Sequence, residues 1–128
     1  GAPHQEFLES YNRVDIAFDP WPYTGGLTTI EALIMGVPVI TMPSEHFAGR
    51  HAATHLTTVG MEDWIVDGEQ EYHDLAVKWA NDPDGLHDLR KKLRDTVLNS
   101  PLCDGPKFAK NLEKAFRHMW KDYLEKSD

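Results

Sequence analysis

Residues 23–42 read YTGGLTTIEALIMGVPVITM, and the fold follows from how this stretch is parsed. Gly25 and Gly26 let the backbone turn without a Cβ penalty and come close to a ligand. Thr28 and Thr29 open a helix predicted over residues 30–35, and Gly36 closes it. Residues 37–41 form a β-branched run suited to a strand buried on both faces. A glycine loop feeding a helix leaves several N–H groups unpaired and aimed at one place, where the helix dipole adds partial positive charge. Such a place seats a phosphate.

Upstream, residues 3–12 predict a short helix with Phe7, Leu8 and Tyr11 on one side. Residues 14–18 (VDIAF) predict the first strand, which Asp19-Pro20 stops. Pro20 to Tyr23 is then a stiff aromatic loop. Downstream, Ser44 is the expected N-cap of a helix over residues 46–57 that Gly60 ends. Residues 64–66 suit a third, short strand, and Asp67-Gly68 turns the chain. From Glu69 onward three apolar stripes of helical spacing follow. They are Tyr72/Leu75/Ala76/Trp79, then Leu86/Leu89/Leu93/Val97, then Phe108/Leu112/Ala115/Phe116/Met119/Tyr123. Asp104 is a good N-cap for the last helix, with Pro106 in its first turn. Strands alternating with helices, then helices alone, predict an α/β fold: a parallel sheet with a helical C-terminal section.

A chain of 128 residues is one domain by length and can hold a real core. Its 41% apolar and 27% charged residues are those of a soluble globular protein. A formal net charge of -8 argues against nucleic acid or an anionic membrane as the general partner, yet leaves room for a local anion site built from backbone amides. Cys103 is the single cysteine, which excludes an internal disulfide and a thiolate zinc site and fits a reducing, cytoplasmic compartment. No apolar run approaches the ~20 residues of a membrane-spanning helix, and no secretory signal is visible. The abrupt start at GAPHQEF reads as a cut edge, with part of the sheet expected upstream. An incomplete sheet has an open edge, which favours self-association.

Several residues are candidates for chemistry. The loop Gly25, Gly26, Leu27, Thr28 and Thr29 either binds a nucleotide diphosphate or simply shapes a tight turn. It is neither a Walker loop, since no Lys follows the glycines, nor GxGxxG. Glu31 stands three residues after Thr28, so the pattern favours a capping box, with ribose binding as the functional alternative. His51 and His55 have i, i+4 spacing, but HAATH lacks the Glu of HExxH and no third ligand stands at convincing spacing, so packed or exposed histidines are favoured over a metal site. Arg50 either reaches a phosphate or makes a surface ion pair. Phe7, Trp21 and Tyr23 either stack on a base or serve the core, and His4 is a polar contact or simply exposed.

The stretch YNRVDIAFDPWPYTGGLTTIEALIMGVPVITMPSEHFAGRHAATHLTTVG, with the SPLCD-containing tail LRKKLRDTVLNSPLCDGPKFAKNLEKAFRHMWKDY, resembles the O-GlcNAc transferase family. That family includes bacterial members with tetratricopeptide repeats and plant SPINDLY-type protein O-fucosyltransferases. The resemblance implies a GT-B architecture, two Rossmann-like domains with a nucleotide-sugar between them. Residues 1–128 would be the C-terminal portion of the second, nucleotide-sugar-binding domain, a partial Rossmann-like sheet within a longer protein. It further implies a metal-independent cytoplasmic glycosyltransferase moving a sugar, GlcNAc from UDP-GlcNAc, to Ser or Thr of a protein, with no cofactor beyond the donor. Thr28, Thr29 and the Gly25–Gly26 turn would hold the diphosphate, and Glu31 the ribose. Phe7 falls where many members stack a His on the base, and Ala2 and His4 where base and phosphate contacts occur. Gly26 and Leu27 depart from the animal enzymes, which have a His in this loop. The family's phosphate-binding Lys and its acceptor-recruiting repeats would lie upstream, so the chain alone should be inactive. Two alternatives stand beside this reading: a GDP-fucose donor, and a non-catalytic α/β module that docks partners through its helical tail.

Overall fold

The computed structural model describes residues 3–126. Among these, six α-helices and a two-stranded parallel sheet follow one another in the expected alternation. Helix α1 (His4–Ser10) runs into a 3-10 turn at Tyr11–Arg13. Strand β1 (Ala17–Phe18) leads through the proline-rich loop to α2 (Leu27–Ile34), and β2 (Val39–Ile40) returns parallel to β1, Ala17 opposite Val39 and Phe18 opposite Ile40. Next come α3 (His51–Val59), α4 (Glu69–Ala80), α5 (Pro83–Leu98) and α6 (Gly105–Glu125).

Both strands are shorter than their sequence runs. Proline limits them: Pro38 precedes β2 and lacks an N–H, and Asp19-Pro20 ends β1. The expected third strand contracts to one bridge, Thr41 beside Ile65, where the Thr41 amide donates to the Trp64 carbonyl and the Val66 amide to the Thr41 carbonyl. Residues 62–64 are a 3-10 turn instead.

The helix expected over residues 46–57 is also divided. Residues Phe47–Gly49 make a 3-10 turn, and α3 starts only at His51. Ser44 caps neither; its hydroxyl donates to the Pro22 carbonyl at 3.4 Å. A Cβ on Gly49 would lie 1.8 Å from the Ser44 Oγ, so the two segments meet here with no room for a side chain. Gly60 ends α3 at φ +77°, as a left-handed C-terminal residue should.

The core lies between the sheet and α2, α3 and α5. Leu33, Val37, Ile40, Leu56 and Val97 are fully buried, each contributing about 1.5–3 kcal/mol on transfer from water. Helix α5 packs on α2, and the Arg94 guanidinium donates to the Ile34 carbonyl at the C-terminal end of α2, where the dipole favours a cation. Arg90, also on α5, pairs with Asp15 just before β1. Gly36 follows α2 at φ +78° with the Arg90 carbonyl 3.2 Å from where a Cβ would be. Helix α4 joins through a stack of Trp79 on Trp64, ring centres 5.0 Å apart.

Helix α6 begins as its sequence predicts, with the Asp104 carboxylate accepting from the Lys107 amide at 3.0 Å. Its apolar stripe finds no core, however. No residue of α6 is buried, and Phe108, Phe116, Met119 and Trp120 are each about 60% exposed.

Candidate functional site

The glycine loop occupies the carboxyl end of β1, the side of a parallel sheet on which α/β proteins bind ligands. One buried carboxylate organises it. Asp19 accepts the Gly25 amide at 2.7 Å through Oδ1 and the Thr41 hydroxyl at 2.6 Å through Oδ2. Its carbonyl accepts the Tyr72 hydroxyl of α4 at 2.9 Å. Burial pushes the Asp19 carboxyl above its ordinary value, against the opposing pull of the Thr41 and Gly25 hydrogen bonds. Thr24, 1% exposed, fastens the other side: its hydroxyl donates to the Ala48 carbonyl at 3.2 Å and accepts from the Ala52 amide at 3.4 Å.

With the Gly25 amide taken, the next four remain. The N–H groups of Gly26, Leu27, Thr28 and Thr29 meet no acceptor among the described residues, and α2 has no side-chain cap. Gly26, Leu27 and Thr28 line a hollow of about 380 Å³ together with Pro20, Tyr23 and His51. A smaller hollow of about 130 Å³ lies on the far side of Thr28, against Tyr11 and Ala17. The two threonines differ. Thr29 is buried and its hydroxyl donates back to the Gly25 carbonyl at 3.0 Å, whereas Thr28 is exposed. Leu27 is exposed at the rim.

Glu31 does not close a capping box. Helix α2 begins one residue before Thr28, so the Thr28 amide lies inside the first turn rather than at its boundary. The Glu31 side chain is instead 12% exposed, with Oε1 3.7 Å from Nε2 of His4. The Tyr11 hydroxyl donates to the Thr28 carbonyl at 3.3 Å, which lays α1 across the start of α2. Burial, and then the Glu31 charge, raise the Tyr11 hydroxyl above its ordinary value.

The other sequence candidates are dispersed. Phe7 packs edge-on against Tyr11 at 5.3 Å and borders a separate hollow with Glu6, Glu9 and Arg13. Ala2 is outside the described residues. Arg50 donates to the Ser44 carbonyl at 3.3 Å and does not line the loop hollow. Trp21 and Tyr23 are exposed. His55 is half-buried; burial, then the neighbouring His51, lower its ring. Among the described residues no three His, Cys, Asp or Glu side chains are gathered to hold a metal ion, and no helix is long and apolar enough to cross a membrane. Sequence reasoning missed Asp19, Thr24 and His51 as site residues. The signal for Asp19 was its place, an acid directly after a strand and six residues before the first glycine.

Residues 1–112 match the family model described as Glycosyl transferase family 41. The chain belongs to glycosyl transferase family 41. The family 41 relatives are substantial in identity and much longer. The "probable UDP-N-acetylglucosamine–peptide N-acetylglucosaminyltransferase SPINDLY" of Arabidopsis thaliana is 42% identical over 122 residues, 95% of this chain and 13% of that protein. The UDP-N-acetylglucosamine–peptide N-acetylglucosaminyltransferase of Caenorhabditis elegans is 30% identical over 95% of this chain and 11% of that protein. The solved O-GlcNAc transferase of Thermobaculum terrenum, a K341M mutant, superposes with a TM-score of 0.91 at 35% identity, covering 99% of this chain and 24% of that one. The chain thus spans about an eighth of the curated relatives it matches.

Proposed function

We propose that this chain is the nucleotide-diphosphate-binding part of a glycosyltransferase that moves a sugar, GlcNAc from UDP-GlcNAc, to Ser or Thr hydroxyls of proteins. The observation that carries the proposal is the run of unpaired amides from Gly26 to Thr29, three of whose residues (Gly26, Leu27 and Thr28) line a hollow at the carboxyl end of a parallel sheet, in a family 41 chain. Departure of the nucleotide leaves negative charge on its diphosphate. Preorganised N–H donors and a helix N-terminus stabilise that charge where it grows. Thr28 adds an exposed hydroxyl at the same place. Glu31, one turn further on and largely buried, accepts the ribose hydroxyls, with His4 and Phe7 toward the base.

Transfer requires an acceptor site and a second half for the donor, so activity belongs to a longer protein of which residues 1–128 are the C-terminal portion of the nucleotide-sugar-binding domain. The chain's 13% share of the Arabidopsis relative supports this. Its single Cys103 fits the cytoplasm. The edge of β1 away from β2 carries no strand among the described residues, which supports self-association of the chain by itself.

Isothermal titration with UDP and GDP tests the reading. Wild type binds UDP more tightly than GDP, and Thr28→Ala and Glu31→Ala each weaken binding. Equal heats from wild type and both variants reject it. The second reading, a GDP-fucose donor, draws on the threonine-bearing loop at residues 25–29, which resembles that of SPINDLY-type protein O-fucosyltransferases. Preference for GDP in the same titration selects it.

A further inference from the structure

We propose that His51 is a positioning residue for the donor diphosphate, a role that rests on the nucleotide reading above and adds a side chain to it. The loop faces α3 across the hollow, and His51 is the first residue of α3. A Cβ built on Gly26 would lie 3.7 Å from Nδ1 of His51, so the imidazole stands directly against the bare glycine. The ring is held there by an edge-to-face contact with Phe47, centres 4.8 Å apart and planes at 80°. Thr24 ties the loop to the same turn of α3 through the Ala52 amide, which fixes the separation of the two walls.

Charge gives this placement its meaning. A diphosphate brings several negative charges, whereas a helix N-terminus supplies only about half a unit of positive charge. Arg50 is turned away to the Ser44 carbonyl. Of the described residues that wall the hollow, His51 is the one whose side chain carries a nitrogen donor. An anion seated on the Gly26–Thr29 amides is therefore met from the opposite wall by an imidazole N–H.

The test is titration of the chain with UDP across four proteins: wild type, Thr28→Ala, His51→Phe and His51→Gln. Phenylalanine keeps a ring against Phe47 and removes the donor; glutamine restores an N–H. We expect His51→Phe to weaken UDP roughly tenfold, the scale of a lost hydrogen bond to a charged group, with an unchanged melting temperature, and His51→Gln to recover most of the loss. UDP binding by His51→Phe equal to wild type, with Thr28→Ala still impaired, overturns the role of His51 and leaves the nucleotide site standing. Loss in both His51 variants together with a lowered melting temperature also overturns it, since the ring then serves packing alone. Absence of UDP binding by wild type removes the nucleotide reading and this inference with it.

Discussion

The Asp19 carboxylate holds the Gly25 amide at 2.7 Å from across the mouth of β1. One oxygen sets the loop and the other holds Thr41 on the neighbouring strand. The acid thus shapes the bend that leaves the following amides open. Asp19→Ala strands the Gly25 amide and the fully buried Thr41 hydroxyl. Two unmet polar groups cost roughly 2–4 kcal/mol, which urea denaturation would measure; Asp19→Asn, which keeps an acceptor for Gly25, should cost less.

The same group makes stability respond to acid. Its folded value is raised by burial, so the folded state favours the protonated form. Its favourable contribution is complete below the ordinary carboxylate value of 3.8 and is lost as pH rises through the raised value. Unfolding free energy of wild type relative to Asp19→Asn should therefore increase on acidification through that window. Urea melts at neutral and acid pH check the slope; a flat difference contradicts it. Asp74, exposed and lowered chiefly by its hydrogen bond from His73, acts in the opposite direction.

Tyr72 gives an alkaline counterpart. Its hydroxyl is pushed up to about 12, first by burial and then by the Asp19 charge. A raised value contributes stability that is fully present below the ordinary 10.0 and disappears as pH climbs through about 12. Ultraviolet titration should find a late-ionising tyrosine component near 12 that is lost in Tyr72→Phe, while the raised Tyr11 remains. That variant should also lose about 1 kcal/mol with the hydrogen bond to the Asp19 carbonyl.

The two loop glycines should behave differently. A Cβ on Gly25 would stand 2.6 Å from the Thr29 hydroxyl and 2.9 Å from that of Thr28, whereas one on Gly26 meets only His51 at 3.7 Å. Gly25→Ala should destabilise by about 1–3 kcal/mol through overpacking. Gly26→Ala should cost less in the same thermal melts.

Leu33 and Phe116 separate core from surface. Leu33 is fully buried and Phe116 is 59% exposed. Leu33→Ala should cost about 2–5 kcal/mol, and Phe116→Ala should stay within about 0.5 kcal/mol. A large loss from Phe116→Ala would mean that α6 is covered in solution.

Much of this fold was legible because the punctuation is strong. Gly36 and Gly60 both adopt positive φ at helix ends, and Asp82, Pro83 and Asp104 start α5 and α6 where their chemistry says they should. The β-branched run at 37–41 is buried, yet only Val39 and Ile40 pair as a strand, because run composition reports burial better than ladder length. Ser44 failed as a cap because tertiary contact with Gly49 and Pro22 overrode local preference. In the loop, the glycines and threonines left a diphosphate seat and a tight turn as alternatives, and did not say which hydroxyl faces outward: Thr29 turns back on Gly25 while Thr28 does not. Asp19 stands only six residues before Gly25, and its place after a strand was a local signal; Thr24 bonds Ala48 and Ala52, 24 and 28 residues away, and His51 meets Gly26 from across the hollow, spans for which a single sequence carries no local signal.

Helix α6 has a mechanical consequence. Its 21 residues extend roughly 30 Å at about 1.5 Å each, and its chief purchase on the rest of the molecule is the short turn at Pro101–Cys103. It is geometrically a lever whose fulcrum lies beside Ser100. Whatever grips the far end near Trp120 works through a long arm, so a slight tilt at the base becomes a displacement of several ångströms at the tip.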